Sequence, residues 1–217
     1  KPLFQEGQQQ LKQLKLLTDQ GQITAIGQQV AAFGMHPRLG LMLIQARRWG
    51  LEALACDLAA LLSERDLPGS RDHGCDIGHR LQRLRDTARS NRHDGLGGMR
   101  QQSRQWQRQL HGINPPEAQL SLNEPEDLAI ARLIATAFPE WLALARPGRP
   151  GAFLLRQGRG AQLPTSDPLC SAEALAIAGL DLKERNARIR LAVPISRRYL
   201  EDIASEQGEW HEQIVWN

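Results

Sequence analysis

The sequence predicts an α+β chain, helical through its first two-thirds and β-rich at its end. Three observations carry that expectation. Apolar residues recur at helical spacing from Leu11 into the segment before Pro139. Short runs with strand-like patterning, "AFLLR", "AEALAIAGLDL" and "ARIRLAVPI", follow it. Between the two lies "RPGRPG", residues 146–151, whose two prolines and two glycines mark a boundary.

The elements can be justified in order. Leu11, Leu14 and Leu17 share one face of a short helix, the polar turn "TDQGQ" follows, and Thr24 is placed to N-cap a second helix. Two short helices joined by a tight glycine-containing turn suit a helix-turn-helix or winged-helix unit over residues 1–34, or an ordinary helical hairpin. Pro37 suits the first position of a third helix, whose apolar stripe Leu39, Met42, Leu43 and Ala46 runs to a stop at Gly50. A fourth repeats the pattern with Leu51, Leu54, Ala55, Leu58, Leu61 and Leu62. Helices near Ile77 to Arg92 and Met99 to His111 are separated by the breaker "DGLGG". Ser121 and Glu124 are spaced as a capping box ahead of a longer apolar helix that Pro139 interrupts. In the β-rich end, Ile189, Leu191 and Val193 alternate with Arg188, Arg190 and Ala192, as in a strand with one buried face. Short strands with Gly/Pro turns predict a small barrel or half-barrel.

Composition narrows the function. A chain of 217 residues, 41% hydrophobic, can bury a proper core. It has neither an apolar run of membrane-spanning length nor a hydrophobic signal core at "KPLFQEGQQQ", so a soluble chain with no membrane partner is expected. It begins without an initiator Met, and a trimmed fragment is expected. Three cysteines at unpatterned positions, Cys56, Cys75 and Cys170, argue for a reducing compartment, and a cytoplasmic location is expected. Net charge is only +3, but from Arg80 to Arg108 eight arginines face Asp86 and Asp94, a local +6 that leaves −3 elsewhere. Such asymmetry points to a polyanionic partner.

No catalytic constellation emerges. His36-Pro37-Arg38 is the punctuation of a helix start, since no adjoining carboxylate or nucleophile completes a general-base arrangement. In "HGCDIGH", His73, Cys75 and His79 are metal-ligand types, but only Asp72 or Asp76 could complete the set, so no metal site is assigned. The glycine-rich "GRPGAFLLRQGRGA" lacks Gly-Lys-Ser/Thr, and the chain has no Gly-Lys pair at all, which excludes a P-loop. No catalytic residue and no cofactor are therefore expected in this chain. Arg100, Arg104 and Arg108, every four residues, form a stripe of guanidinium groups about 6 Å apart, matched to successive phosphates. With Arg85 and Arg89 they make the candidate nucleic-acid-binding set, and Trp106, on another side of the helix, reads as core.

The strings "ITAIGQQVAAFGMHPRLGLMLIQARRWG" and "ACDLAALLSERD" resemble the post-motor region of the bacterial DEAH-box helicases called HrpB. There, a "LT..G..MA.LP.HPRLA.ML" segment leads into "A..LAALLSERD". "GCDIGHRLQRLR", "AFPEWLALAR", "FLLRQGRGAQL" and "EALAIAGLDLKERNARIRLAVPIS" resemble later parts of that region in the same order. Phe33-Gly34-Met35 before His36, and Trp141 where the family tends to have Arg, depart from the pattern.

The resemblance implies a winged-helix-like unit ending near residue 34, a helical ratchet-like (HA2-type) domain over 35–145, and an OB-like β-rich domain over 146–217. It implies an ATP-dependent RNA helicase whose ATP and Mg belong to RecA-like motor domains that this chain lacks. His36, Pro37 and Arg38 then become a domain junction that sets the angle between units. The implied partners are single-stranded RNA or DNA and the RecA-like motor domains of the same protein. The rival expectation is a helical protein-interaction platform that never touches nucleic acid.

Overall fold

Local capping chemistry shapes the first half of the chain. In the computed structural model, which describes residues 2–64, 74–86, 96–113, 124–182 and 186–207, α1 (Pro2–Gln13) ends in a Schellman-type closure. Leu16 N donates to Leu11 O and Lys15 N to Lys12 O, with Lys15 left-handed at φ 56°. That closure puts Leu17 outside the predicted helix, and Leu17 instead bridges Ile23 across a small turn. Thr24 caps α2 (Ala25–Ala31) as expected, its hydroxyl accepting from Gly27 N at 3.0 Å.

α3 (Pro37–Trp49) begins at the expected proline and stops at Gly50, which is left-handed at φ 68°. α4 (Glu52–Ser63) follows directly. α5 (Ile77–Asp86) and α6 (Gly97–His111) lie where the periodicity placed them, although the continuation of α5 towards Arg92 lies outside the described residues. α7 (Glu126–Ala137) starts later than the capping-box spacing predicts, with Pro125 at its N-cap position. Ser121 lies outside the described residues, and the Glu124 carboxylate binds Arg132 and the Tyr199 hydroxyl instead of capping a helix.

α7 is buried nearly all round, from Ala129 to Ala137, because it is the wall between two layers. One side packs on α3 and the other on the barrel. The barrel comprises β1 (Leu142–Ala145), β2 (Ala152–Leu155), β3 (Gly160–Gln162), β4 (Ala174–Asp181) and β5 (Ala187–Ile195), closed in the order β1-β2-β3-β5-β4. All pairings are antiparallel except β3 with β5. "RPGRPG" is thus the hairpin turn between β1 and β2, and the barrel begins at Leu142, ahead of the predicted boundary.

The predicted alternation of β5 slips. Bulges in the β4–β5 ladder leave Arg190 as an extra residue, so Ile189 and Ala192 both point into the barrel. Leu191 and Val193 pack instead in the helical core, where α7 lies against β5. A further helix absent from the sequence reading, α8 (Arg197–Gln207), folds back against α7. Ser196 caps its first turn, Ile203 is buried, and the Tyr199 hydroxyl lies 2.9 Å from Glu124 Oε2 and 3.0 Å from Leu128 O.

Candidate nucleic-acid interface

α6 has two unlike faces. Met99, Ser103, Trp106 and Leu110, at spacings of four, three and four, turn inwards against α4. Trp106 is 5% exposed, the core position that its place off the arginine stripe predicts. The other face bears Arg100, Gln101, Arg104, Gln105 and Arg108, and α6 contains no acidic residue. A groove of about 820 Å³ runs along that face, lined by Gly97, Arg100, Arg104, Gln107, Arg108 and His111.

The three stripe arginines are not equivalent. Arg100 is half-buried, and its Nε donates to Leu84 O at 3.0 Å, satisfying a carbonyl in the last turns of α5. Arg104 and Arg108 are exposed, and no ion pair holds either among the described residues. Arg108 Nε only leans back on Arg104 O at 3.4 Å.

Arg85 does not belong with them. Its Nε meets Asp57 Oδ2 at 3.2 Å, and its Nη1 meets both oxygens of Glu126 at 2.8 and 3.0 Å. Burial opposes its charge, but the hydrogen bonds of Glu126 and Asp57 outweigh that and raise its pKa. Unlike Arg104 and Arg108, Arg85 is held by two carboxylates and ties α5 to the helices that carry them. Asp57 also accepts from Ser103 Oγ at 2.7 Å, so one carboxylate joins α4, α5 and α6. Its signal in the sequence was a lone acid inside the apolar run "LACDLAALL". Arg89 lies outside the described residues.

His36, Pro37 and Arg38 stand at the start of α3, and Arg38 joins that start to the end of α7. His36 Nδ1 accepts from Arg38 N at 3.3 Å and acts as the N-cap of α3. Burial, and then the Arg38 charge, lower its pKa and favour the neutral ring that can accept. Arg38 reaches the far end of α7: Nη1 donates to Ala137 O at 2.7 Å, and the guanidinium bridges Glu140 Oε1 and Oε2 at 2.8 and 3.1 Å. It also lies 5.5 Å over Phe138, which stacks on Trp141 at 4.8 Å. Arg38 therefore ties the start of α3 to the entry of the barrel.

Of the metal-ligand types, His73 lies outside the described residues, the Cys75 thiol donates to Ile189 O at 3.3 Å, and the His79 side chain is exposed. Burial pushes the Cys75 thiol up to about 12, and no group of three metal-ligating side chains occurs among the described residues. No described helix is long and apolar enough to cross a membrane.

The chain is 30% identical over 198 residues to the ATP-dependent RNA helicase HrpB of Escherichia coli strain K12, covering 90% of the chain and 21% of that protein. A crystal structure of the E. coli DExH-box NTPase HrpB matches 90% of the chain at TM-score 0.69 and 29% identity. A second, of the Escherichia coli DEAH/RHA helicase HrpB, matches 87% at TM-score 0.65 and 28% identity. The chain spans about a fifth of the length of these relatives. No protein-family model matches it.

Proposed function

We infer that this chain, which corresponds to the C-terminal part of an HrpB-like helicase, guides a single strand of RNA or DNA behind a motor that lies outside the chain. The observation that carries this reading is the outward face of α6, an acid-free row with Arg104 and Arg108 open to solvent along a groove. Arginine forks suit phosphate oxygens, and a helix face supplies them at regular intervals. We assign residues 1–34 to a winged-helix-like unit and the helical body to a ratchet-like domain. The strand order and the parallel β3–β5 pair support an OB-like reading of the barrel. ATP and Mg belong, in this proposal, to RecA-like motor domains of the same protein. Phe4, 76% exposed beside a groove of about 520 Å³ lined by Leu11, Leu14, Leu17 and Pro37, is the surface we assign to docking on them.

The test is binding of a fluorescent single-stranded oligonucleotide by the Arg104→Ala/Arg108→Ala variant. Its slope of log K against log[salt] should fall by about 0.7 per lost contact, about 1.4 in all. The loss should not depend on base sequence, because phosphates carry no base identity. Wild-type affinity and slope in a folded variant would favour the protein-interaction platform.

A further inference from the structure

A second basic surface lies away from α6, on the seam between the helical body and the barrel. At the start of β5, Ala187 and Ile189 are buried in the barrel while Arg188 and Arg190 are exposed. Arg190 is the extra residue of the bulge, a geometry that re-aims a side chain. The segment leading into α5 runs parallel to this strand, with Asp76 bridging Ala192 and Ala192 N donating to Cys75 O at 2.8 Å. Gly74 lies just ahead of that bridge, and Arg190 is close enough to Arg80 for their charges to repel. Arg80, in the first turn of α5, returns its guanidinium to the same place, with Nη2 donating to Gly74 O at 2.7 Å. Three arginines from two layers are thus gathered along one seam.

Their carboxylate neighbours are occupied elsewhere. Asp167 is 6% exposed, with Oδ2 accepting from Cys75 N at 2.8 Å and Oδ1 from Leu169 N at 3.0 Å. Asp76 Oδ1 accepts from Gly78 N at 2.8 Å. Asp181 faces Arg188 in the β4–β5 register. Neither Arg188 nor Arg190 has a hydrogen bond or ion pair among the described residues, and Arg80 Nε is buried without a partner. Burial first, and then the like charge of Arg190, lower the Arg80 pKa against the opposing pull of Cys75 and Asp167. Asp167 offsets part of the charge on Arg80, whereas the exposed Arg188 and Arg190 leave the seam open to an anion from outside the chain.

We propose that Arg80, Arg188 and Arg190 form a phosphodiester-binding seam that holds the backbone of a single nucleic-acid strand along the barrel, separate from the α6 face. This rests on the nucleic-acid-guiding reading given above. Arg188 and Arg190 are neighbours along the strand, and guanidinium forks match phosphate oxygens.

The experiment is fluorescence anisotropy of a fluorescein-labelled fifteen-nucleotide oligouridylate with the 217-residue chain, across a salt series. Wild type is compared with Arg188→Ala/Arg190→Ala, Arg188→Lys/Arg190→Lys and Arg104→Ala/Arg108→Ala. The seam alanine variant should lose about 1.4 from its salt slope, and the lysine variant should keep the wild-type slope, because a point charge still displaces counterions. All four proteins should melt together, since the altered side chains are exposed. A wild-type slope in the seam alanine variant, beside a reduced slope in the α6 variant, overturns the seam and leaves the functional reading intact. No binding by the wild type overturns both.

Discussion

Replacing Arg38 with alanine removes three interactions at once, all of them with residues about a hundred positions further along the chain. Its side chain is 11% exposed, so its partners are only partly compensated by water when it leaves. The Ala137 carbonyl belongs to the last turn of α7 and has no intrahelical partner, so losing the 2.7 Å bond strands it. A hydrogen bond from a charged donor contributes about 1.5–3 kcal/mol. Glu140 is 30% exposed, which discounts the ion pair towards about 1 kcal/mol. The contact with the Phe138 ring adds about 0.5–1 kcal/mol. The sum is about 3–5 kcal/mol, and at about 2–4 °C per kcal/mol for a chain of this size the midpoint should fall by about 6–20 °C. Arg38→Lys keeps the charge but cannot bridge both oxygens and the carbonyl, so it should fall in between. Calorimetry of Arg38→Ala, Glu140→Gln and the double variant completes the cycle, with a coupling of about 1 kcal/mol expected. A fall below about 2 °C for Arg38→Ala, or strict additivity with Glu140→Gln, would refute the tie between α3 and the barrel entry.

Trp106→Ala should destabilise the protein by about 3–5 kcal/mol in urea unfolding while leaving the salt slope of oligonucleotide binding unchanged, the reverse of the Arg104 and Arg108 effect. Gly27→Ala, usually favourable within a helix, should here destabilise by about 1–3 kcal/mol, because the new Cβ would lie 2.3 Å from Leu16 O and 2.9 Å from Ile23 Cγ1; a raised midpoint would contradict that packing. His36 has its pKa lowered from 6.5 in the folded protein, so the unfolded chain takes up the proton first. Its contribution is present above pH 6.5 and lost as pH falls through the folded value. His36→Asn retains a capping acceptor without titrating, and its midpoint should fall less than that of the wild type between pH 7.5 and 5.5; parallel profiles would exclude the cap.

What the sequence determined by itself is local. Thr24, Pro37 and Gly50 announce helix ends because capping and φ preferences act over a few residues. The inward face of α6, Met99 through Leu110, is readable because a single helical period decides which side is buried. The resemblance to HrpB was legible for a different reason, the order of several short strings along the chain. What the tertiary structure alone decided involves partners distant in sequence. "RPGRPG" has the composition of a boundary, and it becomes a hairpin only because β1 pairs with β2 on one side and β4 on the other. The alternation of β5 breaks at Arg190 because α7 covers the barrel's outer wall there, giving Leu191 and Val193 an apolar neighbour that the strand's own pattern cannot reveal. Arg85 and Arg104 look alike in sequence, yet one is clamped by Asp57 and Glu126 and the other faces solvent. Charge is a property of the residue, whereas its availability depends on which carboxylates the fold brings within about 3 Å, and no local pattern encodes that distance.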